Sequence, residues 1–124
     1  MQTNIETLTC PLEASLSIIG GKYKINIIFF LMSQTLRFSE LQKKIPSATP
    51  KMLSQQLKEL ETDGLVNRVL YPVVPPKTEY SLTEKGKSLR PVILELYKWG
   101  EERFKEAGKP VPCRAEDVAK LADE

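Results

Sequence analysis

Residues 38–64 read FSELQKKIPSATPKMLSQQLKELETDG. A short amphipathic piece carries Leu41 and Ile45 and stops at Pro46, and the run Pro46-Ser47-Ala48-Thr49-Pro50 breaks the chain. Thr49 followed by Pro50 is a strong helix start. A capping hydroxyl comes first, then a residue whose missing N–H would have no helical partner anyway. Leu53, Leu57 and Leu60 recur at helical spacing with Met52 beside them, until Gly64 offers a C-terminal stop. Ser39 reads as the N-cap or first-turn residue of the earlier piece, and Glu40 is favourable near that helix's positive end. Such a pair of helices, joined by a few residues, has the pattern of the helix-turn-helix, whose second helix enters the DNA major groove.

The outer face of the second helix supports that reading. With Leu53, Leu57 and Leu60 inward, Lys51, Ser54, Gln55 and Lys58 face outward. Gln pairs with adenine, and Lys with guanine or phosphate. Ser39, Thr49 and Pro50 stand at helix starts, where backbone N–H groups take phosphates. Taken alone, this face reads first as a solvated amphipathic helix. The flanking chain decides between the two. Leu65–Tyr71 is a β-branched, apolar run that reads as a strand, and Thr78–Leu82 alternates as a return strand. Between them Pro72-Val73-Val74-Pro75-Pro76-Lys77 cannot continue a ladder, because three prolines remove its donors. The result is a hairpin with a stiff loop, a wing, on which Lys77 would touch the DNA backbone or minor groove.

Upstream, Pro11 fits the first position of a helix capped by Cys10, with Leu12, Leu16 and Ile19 on one face and Gly20-Gly21 at its end. Lys22–Ser33 reads as a second helix, apolar on nearly every side and therefore central, and Gln34-Thr35-Leu36 as a connector. Downstream, Thr83 caps a last helix through Leu89, Val92, Ile93, Leu96, Trp99 and Phe104, which Pro91 should kink or restart. The expected fold is mainly α with a small β-hairpin: a winged helix-turn-helix over residues 1–109, followed by a short tail, 110–124, with a helical turn from Ala115.

Composition narrows the function. A chain of 124 residues is one domain with a modest core, which leaves stability to be gained from a second subunit. The net charge of +2 says little, but residues 37–90 hold ten bases against six acids, which suits a polyanion. The apolar run IIFFLM is too short to span a bilayer, and no signal peptide is read, so a soluble cytoplasmic protein with no membrane partner is expected. The chain has no His, which removes Ser-His triads, His acid–base chemistry and most zinc sites. Gly20-Gly21-Lys22 lacks the spacing of a phosphate loop. No enzyme, cofactor or metal is expected.

The stretches CPLEASLSIIGGKYKINIIFFL and LRFSELQKKIPSATPKMLSQQLKELETDGLVNRVLYPVVPPKTEYSLTEKGKSLRPVILELYKWG resemble the HxlR family of bacterial winged-helix transcription regulators over residues 10 to 104. The chain departs with Tyr23 where the family usually has Trp, one aromatic for another. The resemblance implies a homodimer meeting through the N-terminal segment and the last helix, here Leu12, Leu16, Val92, Leu96, Trp99 and Phe104. It also implies a palindromic double-stranded DNA site with half-sites roughly 34 Å apart. Several members of the family sense oxidants or electrophiles through the Cys of the CP motif. That makes Cys10 a candidate redox sensor and a small electrophile or oxidant a candidate effector. A thiol at a helix N-terminus does gain thiolate character. A purely structural Cys10 at the dimer seam is the alternative, and both remain open, as does a disulfide to the partner subunit's Cys113. A cleft between the last helix and the core, lined by Tyr80, Tyr97 and Trp99, is a further candidate for a small ligand. The competing reading of the whole chain is a winged-helix module that docks protein rather than DNA.

Overall fold

The computed structural model describes residues 10–111. The tail turn expected from Ala115 and any pairing of Cys113 lie outside the described residues. Helix α1 (Pro11–Ile19) and helix α2 (Lys24–Leu31) come first, and the chain turns through 79° between them. Strand β1 (Leu36–Arg37), helix α3 (Phe38–Lys44) and helix α4 (Pro50–Thr62) follow. Strands β2 (Val66–Tyr71) and β3 (Lys77–Leu82) form the wing, and helices α5 (Glu84–Lys87) and α6 (Arg90–Glu106) complete the order. Among the described residues no single helix is long and apolar enough to cross a membrane.

The helix-turn-helix is closed by local chemistry at both ends. Thr49 caps α4 by accepting a hydrogen bond from the Met52 N–H at 3.1 Å, with Pro50 in the first turn. At the other end Gly64, at φ 79°, forms a Schellman stop. The Leu65 N–H donates to the Leu60 carbonyl at 2.9 Å and the Gly64 N–H to the Glu61 carbonyl at 3.0 Å. Leu60 and Leu65 are both buried, which supplies the apolar contact of that motif and feeds the chain directly into β2. The turn between α3 and α4 is braced by Gln42, whose Nε2 donates to the Ala48 carbonyl at 2.6 Å.

The core gathers around α2. Ile27 and Ile28 are fully buried, and Leu53, Leu57 and Leu60 of α4, Leu41 of α3, Leu82 of β3 and Ile93 of α6 belong to the same cluster. Helix α2 is shorter than the expected 22–33, because Tyr23 serves as its N-cap with φ −118° and ψ 0°. The connector at Leu36 is in fact a third strand. Leu36 pairs with Tyr80 and Arg37 with Glu79, giving a sheet of order β1-β3-β2. In α3, Arg37 takes the N-cap, and its N–H donates to Glu40 Oε1 at 2.7 Å, which leaves Ser39 in the first turn. The last helix restarts as expected. Thr83 caps the single turn of α5 by accepting from the Gly86 N–H at 3.1 Å, and Pro91 stands in the first turn of α6.

Candidate nucleic-acid interface

Helix α4 presents the face that its sequence spacing implies. Lys51, Ser54, Gln55 and Lys58 are exposed, while Leu53, Leu57 and Leu60 are buried beneath them. Thr49 and Pro50 at its start and Ser39 in the first turn of α3 are exposed as well. Among the described residues neither Lys51 nor Lys58 has a carboxylate partner within 4.0 Å. Two ammonium groups without counter-charges on one helix face suit a partner that brings its own negative charge.

Arg68 joins this face, although sequence reading assigned it no role. It is exposed on β2, opposite Tyr80 of β3. With Ser54, Lys58, Glu61 and Tyr80 it lines a shallow cleft of about 250 Å³ between α4 and the wing. The sequence signal was its position three residues into a strand that leaves α4 through a tight stop, so the strand must pass close to that helix.

Lys77 is placed differently from the expectation. It is the first residue of β3 rather than a loop residue, and it is half-buried. Its Nζ lies 3.8 Å from Glu79 Oε2 and 4.7 Å from the centre of the Tyr71 ring. The hairpin ladder extends to the pair Tyr71–Lys77, because Pro76 rather than Lys77 is the last residue that cannot donate. Glu79 in turn raises the Tyr71 phenol above its ordinary pKa, first by hydrogen bonding and then by its charge. The tip itself is apolar and exposed at Val73 and Val74.

Cys10 is exposed, is a free thiol, and stands at the N-cap position of α1. The backbone N–H of Glu13, and then that of Leu12, hold its thiol below the ordinary pKa. Leu12 and Leu16 of α1 and Val92, Leu96 and Trp99 of α6 are exposed. Phe104 is only half-exposed, with Lys109 Nζ 4.9 Å above its ring. The expected cleft between the last helix and the core is present, about 240 Å³ between α6 and α2 and lined by Tyr97 with Phe29, Phe30, Ile93 and Leu96, but Tyr80 and Trp99 are not part of it. Tyr80 is buried beside Arg68, Tyr97 stacks on Phe29 at 6.2 Å between ring centres, and Trp99 stands on the outer face of α6 under Arg103. Tyr80 belongs to β3, and Trp99 stands two residues beyond Tyr97 on α6, a spacing that turns it away from the face Tyr97 occupies.

A three-helix core with its second turn helix outward, followed at once by a stiff antiparallel hairpin, defines the winged helix-turn-helix class. The chain belongs to the HxlR-like helix-turn-helix family, which it matches over residues 18–108. That is a family of transcription regulators, not of enzymes. The chain is 50% identical to the HTH-type transcriptional regulator YdeP of Bacillus subtilis over 93 residues, which is 75% of this chain and 73% of that protein. Among solved structures it resembles the redox regulator HypR in its oxidized form, with a TM-score of 0.72 and 47% identity, over 75% of this chain and 96% of that one. It also resembles the diamide-treated YodB of Bacillus subtilis, with a TM-score of 0.63 and 38% identity, over 77% of this chain and 95% of that one.

Proposed function

We propose that this regulator binds a palindromic operator as a homodimer, with residues 1–109 as the DNA-binding and dimerisation domain and 110–124 as a tail. In this reading Lys51, Ser54, Gln55 and Lys58 read the major groove. Ser39, Thr49 and Pro50 set helix starts against phosphates, and Lys77 supports the wing. Leu12, Leu16, Val92, Leu96, Trp99 and Phe104 form the seam between subunits. The observation that carries the reading is the α4 face, where exposed Lys51 and Lys58 have no ion-pair partner among the described residues and flank Ser54 and Gln55.

Cys10 is the sensor in this reading, and a small oxidant or electrophile is the effector. Three features support it: the exposed thiol, its place at the N-terminus of α1, and the backbone N–H groups that favour thiolate. The resemblance to redox regulators points the same way.

Fluorescence anisotropy on the protein's own upstream DNA tests both halves. Binding should be tight and should weaken steeply with salt, and mild thiol oxidation should change it in wild type but not in Cys10→Ser. A salt-insensitive interaction would favour protein docking instead. An oxidation effect that survives Cys10→Ser would remove Cys10 as the sensor.

A further inference from the structure

Among the described residues the buried core contains one charged side chain, Lys24, which is 5% exposed. Its Nζ meets Glu59 Oε1 of α4 at 2.8 Å. Neither residue belongs to the proposed DNA contacts, so the pair needs another explanation. A buried ion pair adds little net stability over an apolar pair of the same volume, but it is directional. The leucines of α4 are not. Leu53, Leu57 and Leu60 hold the helix on the core, yet burial alone is indifferent to a small roll about its axis.

A second tie lies beside the first. The Tyr23 N–H donates to Gln56 Oε1 at 3.3 Å. A Cβ on Gly21 would come within 2.3 Å of that oxygen, so Gly21 is what lets Gln56 reach the backbone. Gln56 and Glu59 stand three residues apart on one flank of α4, between the buried leucines and the outer face. Gln55, one turn before Glu59, stands next on that outer face.

We infer that the Lys24–Glu59 ion pair, together with the Tyr23–Gln56 hydrogen bond, is a positioning device for base reading: it fixes the roll of α4 on α2 and with it the direction in which the outer face faces. The inference rests on the proposal that α4 contacts DNA. The state of Glu59 agrees with it. Its carboxyl is held below the ordinary carboxylate range chiefly by the hydrogen bond from Lys24, and the Gln55 amide contributes in the same direction.

The test compares wild type, Lys24→Met/Glu59→Leu, Gln55→Ala and the triple variant for affinity to operator and to random DNA. The apolar pair should keep or raise the melting temperature, while the operator-to-random affinity ratio falls by about tenfold. Gln55→Ala should then cost little more in that background. A ratio equal to wild type in the apolar-pair variant overturns the inference. Should the apolar pair fail to fold, Lys24→Glu/Glu59→Lys takes its place and should recover more of the ratio than either single change; no recovery counts against the device. Residual dipolar couplings on the DNA-free proteins separate this inference from the DNA reading. Wild type that binds no DNA specifically refutes that reading, whereas an orientation of α4 on α2 unchanged in the variant refutes the positioning device by itself.

Discussion

At the scale of single residues, α4 is fixed at both ends by groups that lie within one turn of each other. Thr49-Pro50 and Gly64 announce the ends of α4 because capping and a left-handed stop depend only on near neighbours. Thr49→Ala removes the oxygen that satisfies the Met52 N–H, so it should lower stability by about 1 kcal/mol in urea unfolding, and Thr49→Ser should restore most of it. Lys24 gave no such signal. A lysine near the start of an apolar helix reads as a solvent-facing end, and only the fold shows Glu59 waiting 35 residues away. Glu59→Leu alone leaves the Lys24 ammonium buried without its partner and should destabilise by about 3–5 kcal/mol, more than Lys24→Met/Glu59→Leu together. The pair also predicts an acid limb. The folded-state pKa of Glu59 lies below its unfolded value. Its contribution is therefore complete above the unfolded value and is lost as pH falls through the folded one. Stability measured downward from about pH 5 should fall more steeply in wild type than in the Lys24→Met/Glu59→Leu variant.

At the scale of elements, the helix-turn-helix was readable because its apolar spacing is long and periodic, with a breaker in the middle. Strand β1 was not readable. Leu36–Arg37 is too short to show alternation, and its strand character comes wholly from pairing with Tyr80 and Glu79. The wing shows a subtler shift. Its strands and proline loop were legible, but placing Lys77 in the ladder gives it two partners, Glu79 and the Tyr71 ring. A lysine already paired has less to gain from phosphate than one that is not. Lys58→Ala should therefore lower the slope of log affinity against log salt by roughly one unit, and Lys77→Ala by less, in anisotropy titrations across salt concentrations. An equal drop from both would mean that Lys77 leaves Glu79 when DNA arrives. Gln55→Ala should weaken operator binding by about 1–3 kcal/mol and relax preference at one base position, with little change on random DNA.

At the scale of the whole molecule, the core accounts for one side of α6 and leaves the other without a purpose inside the protomer. Ile93 is buried against α2, whereas Val92, Leu96 and Trp99 on the outer side are 45%, 50% and 63% exposed. Helix α1 is similar: Ile19 is buried, and Leu12 and Leu16 are open to solvent. The sequence shows such an excess of apolar residues directly, since a domain this small cannot cover them. It does not show what covers them, because that depends on a second surface. An exposed apolar stripe of this kind is what an interaction site needs. In the twofold dimer proposed above it would meet a copy of itself and space two α4 helices for half-sites roughly one DNA turn apart. Val92→Glu/Trp99→Glu places two carboxylates on the stripe without touching the residues that line the cleft between α6 and α2. In sedimentation velocity the variant should run as a monomer with wild-type helix content by circular dichroism. It should also lose the tight binding that depends on engaging both half-sites, while each α4 face keeps the weak, salt-sensitive affinity of a single half-site. A variant that stays dimeric would move the seam away from α6, and a dimer that wild type does not form would leave the palindrome without its physical basis.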